Sequence, residues 1–258
     1  MRFFNYIKNI YGYFKSKRYT TISGTLAFFL ILSIVPFVFW LSLIFGKVVN
    51  IEQVLELEIL SGVKEMLSAM IESGKNAGNG VSIILIATTL YSSTNFFYHI
   101  RRSGEMIYDT KLQKGGIKLR LYALLLILVI MIVLICLTFI LTFGKYLLNF
   151  VFLKWLSNLL TYLTLLVFLF VFALLINLFS MPFKVKFKNI VWGSLISTIL
   201  WLIACVGFSV YLQISNAQKL YGAVSTIIIF MLWIYVLMIC YTIGAIFNNI
   251  LYNKIKFN

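Results

Sequence analysis

The residues able to do chemistry are few, and most of them sit inside long apolar runs. The chain has one histidine, His99, and seven carboxylates. A single imidazole cannot build a His-rich metal site, and a Ser–His–Asp arrangement would have to recruit His99. Glu105 and Asp109 are spaced to share a helical face, between Arg102 and Lys111. Flanked by bases, they read as a salt-bridged loop rather than an acid–base pair. No P-loop and no G-x-G-x-x-G after a strand is present. Cys136, Cys205 and Cys240 form no C-x-x-C pair and read as small apolar packing residues. These features predict a protein that is not an enzyme and requires no metal or other cofactor.

Polar residues within the apolar runs say more. Thr88, Ser92, Asn95 and His99 recur at i, i+4, i+7 and i+11, with Thr89 and Ser93 beside them. Ser194, Thr198, Cys205 and Ser209 form a second stripe, next to Gly193 and Ser197. Such stripes could line a hydrophilic path for a headgroup or small solute. The more ordinary reading is a seam, where small residues let helices approach and hydroxyls bond across the contact. Asn95 and His99 weigh toward a path, because an amide and an imidazole are costly to hide in lipid. In Ser33-Ile34-Val35-Pro36, the proline removes a backbone donor and predicts a kink or break in mid-membrane. Broken helices often build binding sites in transporters, although a kink in a structural helix is equally ordinary. The candidate path residues are therefore Thr88, Ser92, Asn95, His99, Ser33, Pro36, Ser194 and Thr198.

The elements that must position these residues are set by composition. The 258 residues are 62% hydrophobic and 11% charged, with a mean hydropathy of +1.01. Soluble domains average about 45–50% apolar and roughly 25% charged residues. A water-soluble fold of this size could not bury so much apolar surface, so lipid is the solvent for most of the chain. A helix needs roughly 20 apolar residues to cross a bilayer. Six segments qualify, at about 22–45, 80–100, 119–144, 155–180, 190–212 and 221–250, and apart from Arg120 at the start of the third they contain no Asp, Glu, Lys or Arg. Their continuous apolar character, without alternation, predicts helices rather than a barrel. The expected fold is an all-α integral membrane protein, a bundle of six transmembrane helices with a kinked first helix. Residues 1–21 form an amphipathic segment before it, 22–250 the transmembrane domain and 251–258 a short basic tail.

Charge sets the orientation. Sixteen of the 22 basic residues lie before the first span, between spans two and three or four and five, or in the tail. Positive residues stay in the cytoplasm when loops are short, so both termini are expected there. Five of the seven acids fall in the first outer connection, 46–79, where Leu60, Val63, Leu67 and Met70 share a helical face. That spacing predicts an amphipathic helix, either a lid over an outward-facing cavity or a plain surface helix. Phe3, Ile7, Ile10 and Phe14 predict another near the start, lying in the inner interface or packed on the inner loops. The net charge of +15 implies anionic lipid headgroups on the cytoplasmic side as partners rather than nucleic acid. A homo-oligomer is left open.

Together these stretches resemble the YihY/BrkB family of bacterial inner-membrane proteins, long mislabelled as ribonuclease BN. The run from Leu26 and Ala27 to Ser33 and Pro36 looks like the family's first-span signature. Ser92–Tyr108 is similar to the end of its second span. Met181-Pro182 with Trp192-Gly193 matches the turn before span five. Tyr221-Gly222-Ala223, Leu232-Trp233-Ile234-Tyr235 and Gly244-Ala245 follow in order. Many relatives place a Glu where this chain has Ile246, and an Asn before the aromatic near Tyr108. The resemblance implies a multi-pass protein of the bacterial cytoplasmic membrane, tied to envelope lipid export and virulence. The leading functional expectation is transport or translocation of a lipid or amphiphilic envelope component. The alternative is a non-transporting, envelope-organising scaffold. A ribonuclease is a distant third, because the acids fall mainly on the outer side.

Overall fold

The structure, a computed structural model, describes residues 9, 11–45, 79–110, 116–150, 154–183, 188–214 and 217–253. Among these residues it is all helical, with no strand. Six long helices follow in order: α1 (Tyr19–Phe45), α2 (Asn79–Ile107), α3 (Gly116–Phe150), α4 (Lys154–Ser180), α5 (Lys188–Ile214) and α6 (Ala217–Tyr252). Helices satisfy every backbone group within the segment, which hydrocarbon demands. Among the described residues, four stretches are long and apolar enough to cross a membrane: Gly116–Leu137, Leu159–Ser180, Lys188–Leu212 and Ile228–Tyr252. The outward sides of α3 carry Leu121, Leu125, Leu128, Ile132 and Phe139, all exposed. Apolar exposure on that scale fits lipid rather than water around the helix. The amphipathic segment expected within 46–79 lies outside the described residues, apart from the start of α2.

The helix boundaries have local causes. A short helix at residues 11–16 stops at Arg18, whose φ of 52° is left-handed. The chain then re-enters helix as α1. This helix runs through Pro36 without a break. At its far end α2 stops on Asp109, also at φ 52°. The amide of Tyr108 donates to the carbonyl of Gly104 at 2.9 Å, and that of Thr110 to Glu105 at 3.0 Å. The Thr110 bond reaching back over Asp109 is the Schellman arrangement that closes a helix C-terminus.

The chain divides into two compact units. The first comprises Met1–Tyr19, Ile100–Ile203 and Ile239–Asn258. Its core is formed by Ile100, Ile107, Ala123, Ile176, Ile190, Ala245 and Ile246, each fully or almost fully buried. Within it α3 and α4 pack on each other. The second unit comprises Thr20–His99 and Ala204–Met238. Its core gathers Ile22, Leu26, Ala27, Phe96, Phe97 and Ile234. Helices α2, α5 and α6 each contribute one segment to either unit.

Candidate functional site

In the first unit, α4, α5 and α6 bury a cluster of polar side chains. Asn177, Ser194 and Asn248 are at most 1% exposed. The Asn177 amide donates to the carbonyl of Ala173 at 2.9 Å and to Ser194 Oγ at 3.2 Å. Its oxygen accepts from Asn248 Nδ2 at 3.4 Å, and Asn248 Oδ1 in turn accepts from the backbone nitrogen of Gly193 at 2.8 Å. Ser194 returns its proton to Ile190 and Thr198 to Ser194, both within α5. A carboxamide on each of α4 and α6 therefore bridges to α5.

That approach depends on glycine. A Cβ on Gly193 would overlap the carbonyl of Gly244 and the Asn248 carboxamide. One on Gly244 would overlap Ser197 Oγ and the carbonyl of Gly193. The two glycines thus let α5 and α6 touch backbone to backbone, the small-residue packing typical of membrane helices. Gly104 acts alike on α2, where a Cβ would run into the carbonyl of Ser180 at the end of α4. Beside this cluster lies Tyr241, 1% exposed.

Below the cluster the C-termini of α2, α4 and α6 converge. Arg101 donates to the carbonyls of Phe179 and Met181, capping the last turn of α4. Arg102 pairs with the buried Glu105 at 3.0 Å. The Asn249 amide donates to the carbonyl of Ile107 at 2.7 Å and to Tyr13 Oη at 3.0 Å. Asn249 Oδ1 accepts from Asn253 at 2.6 Å. Tyr108 directs its hydroxyl to the carbonyl of Ala245 at 3.4 Å, and its ring meets Phe183, which stacks on Tyr252. Burial pushes the Tyr108 hydroxyl well above the usual phenol range, reinforced by neighbouring Tyr241 and Tyr13. Glu105 and Asp109 do not face each other as an acid–base pair. Asp109 pairs instead with Lys17, from the segment ahead of α1.

The second unit holds the other expected stripe. Pro36 has no N–H to give the carbonyl four residues earlier, that of Leu32. Ser92 Oγ donates to this carbonyl at 3.3 Å, and Ser33 Oγ donates to the carbonyl of Ser92 at 3.0 Å. His99 stacks on Phe29 with ring centroids 3.5 Å apart. Ser33, Ser92 and His99 thus take part in the contact between α1 and α2, while Asn95 is half-buried. The side chains of Thr88, Pro36, Tyr221 and Gly222 lie outside the described residues. Ala27 is buried, and Tyr235 packs near Gly24. Trp233 stacks on Phe208 with centroids 5.5 Å apart. In the first unit Pro182 is buried at the turn after α4.

Sequence reasoning picked out Ser194, Thr198, Gly193, Gly244 and Ala245 but missed Asn177, Asn248 and Asn249. Two adjacent asparagines near the end of an apolar run were the available signal. Their partners come from other helices and leave no local pattern.

The family model described as Virulence factor BrkB matches residues 10–257. A UPF0761 membrane protein of Chromobacterium violaceum is 38% identical over 68 residues, which is 26% of this chain and 16% of that protein. A UPF0761 membrane protein of Coxiella burnetii is 38% identical over 69 residues, 26% of this chain and 25% of its own length. The aligned stretches thus span a quarter or less of these relatives. The putative ribonuclease-like protein YfkH of Bacillus subtilis is 25% identical over 98% of this chain and 97% of its own. No solved structure matches the chain. With the family model matching residues 10–257, the chain belongs to the BrkB family of membrane proteins.

Proposed function

We propose that this chain is a six-span protein of the bacterial inner membrane, with both termini cytoplasmic, that transports a lipid or amphiphilic envelope component. The observation that carries this reading is the pair of carboxamides, Asn177 and Asn248, fully buried within helices whose outer faces are apolar. Polar groups at membrane depth are expensive and commonly mark a substrate path. Each of the six helices has at least 27 residues, about 40 Å at 1.5 Å per residue, enough to cross. The excess of bases on one side supports the orientation and an affinity for anionic headgroups there. No catalytic role, cofactor or nucleic acid enters this reading.

A second reading, a non-transporting scaffold, is favoured by the reciprocal Ser33–Ser92 bonds and by His99 stacked on Phe29. Those contacts occupy the α2 stripe with helix packing. The deciding experiment is thiol accessibility in a chain lacking Cys136, Cys205 and Cys240. Single cysteines at Thr88, Ser92, Asn95, His99, Asn177 and Asn248 are probed with membrane-impermeant reagents from each side. Labelling at Asn177 and Asn248, or along the α2 stripe, supports transport. Uniform silence abandons it for the scaffold.

A further inference from the structure

The segment ahead of α1 makes contacts that the transport reading does not use. Lys17 Nζ forms an ion pair with Asp109, across 92 residues of chain. The Lys17 side chain is 8% exposed while that of Asp109 is 76% exposed. The ammonium also lies 5.5 Å from the centre of the Tyr13 ring. Tyr13 accepts a hydrogen bond from Asn249, which is itself fully buried and already tied to the carbonyl of Ile107. Two anchors, one charged and one neutral, therefore fasten residues 11–18 over the place where α2 and α6 end.

The fastening has the physics of a releasable part. The described helical turns at residues 11–16 are held by these tertiary contacts, since short helices are marginal in water on their own. Both ends of the ion pair abut a left-handed turn. Asp109 is itself at φ 52°, and Lys17 immediately precedes Arg18 at φ 52°. A left-handed backbone is sterically disfavoured for a residue with a Cβ, so each turn leans on its contacts to stay populated. The charged anchor faces solvent on the Asp109 side, where salt screens it.

We propose that residues 11–18 form a detachable strap that closes over Asn249 and the ends of α2 and α6, with the Lys17–Asp109 pair as its latch. Opening removes the Tyr13 hydroxyl from Asn249 and lets water reach a polar group otherwise buried between two helix ends. This rests on the transport reading for its purpose, as a moving part at the inner end. Its test does not depend on transport.

Spin labels at K15C and L251C, both on exposed positions, report the strap-to-α6 distance in the full chain. The three native cysteines are replaced, and the protein is reconstituted in vesicles of mixed neutral and anionic lipid. The parent should give a dominant short distance, with a longer one that grows as NaCl is raised. D109N, which keeps the shape and tolerates a left-handed backbone, should raise the open-to-closed ratio about two- to fivefold. K17Q and the double variant should do no more than D109N alone, because all three remove the same latch. The Y13F variant, cutting the neutral anchor, should raise it independently. Unchanged distances in D109N and K17Q, or a parent insensitive to salt, overturn the proposal. The salt arm needs no variant at Lys17 or Asp109, so it stands even if those substitutions disturb folding.

Discussion

Ser92 supplies the hydrogen bond that Pro36 takes away. Its hydroxyl donates to the carbonyl of Leu32 at 3.3 Å, the acceptor that an N–H at position 36 would otherwise serve. A neighbouring helix hydroxyl is one way a membrane helix tolerates proline. The continuity of α1 through Pro36 follows from this neighbour.

The effect of removing Ser92 should therefore depend on Pro36. S92A is expected to destabilise the protein by about 1–2 kcal/mol through an unsatisfied carbonyl. In a P36A background, where the helix bond is restored, the same change should cost less than about 0.5 kcal/mol. Chemical unfolding of the four variants in detergent measures the coupling. Equal costs in both backgrounds would refute the link.

Glycine crossings give a contrasting pair. G193A forces a methyl into the Gly244 carbonyl and the Asn248 carboxamide, and should destabilise by about 1–3 kcal/mol. G207A, on the same helix, meets nothing within 4 Å and should be neutral or stabilising by up to about 1 kcal/mol. Thermal melts of the two purified variants suffice, and similar losses would contradict the close crossing.

Asn248 joins α6 to both α4 and α5, so its loss should not add simply to that of Asn177. N248A is expected to cost about 1–3 kcal/mol, since it strands the Asn177 oxygen. A double-mutant cycle with N177A should give a coupling of about 0.5–1.5 kcal/mol. Strict additivity would mean that the 3.4 Å contact contributes nothing.

Alkaline pH should loosen the strap. Burial, with the Asp109 charge second, raises the Tyr13 hydroxyl above its ordinary value of 10.0. Its folded value exceeds its unfolded one, so this contribution is complete below pH 10 and disappears as pH rises through the folded value. Melting temperatures followed from pH 9 to 12 should fall more steeply for the parent than for Y13F. Parallel curves would remove Tyr13 from the account.

The sequence alone determined the solvent and the helical class, because a chain 62% hydrophobic and 11% charged has few physical solutions in lipid, while the family resemblance came from short stretches such as Tyr221-Gly222-Ala223 and Gly244-Ala245. Long apolar runs exposed α3 to α6, and small-residue spacing marked Gly193, Ser194 and Thr198. What only the tertiary structure decided were the partners. The sequence stripe through Ser92 and His99 left both a path and a seam open, with the seam favoured, and only the fold shows that Ser92 bonds with Ser33 and Leu32 and that His99 stacks on Phe29. Asn177, Asn248 and Asn249 attracted no notice as isolated polar residues, yet they join helices through bonds that span 17 to 142 residues of chain. The Lys17–Asp109 latch spans 92 residues between two loops with no shared pattern. Hydrophobic periodicity is local and survives in one dimension, whereas a hydrogen bond between helices depends on which faces the fold brings within 3 Å or so.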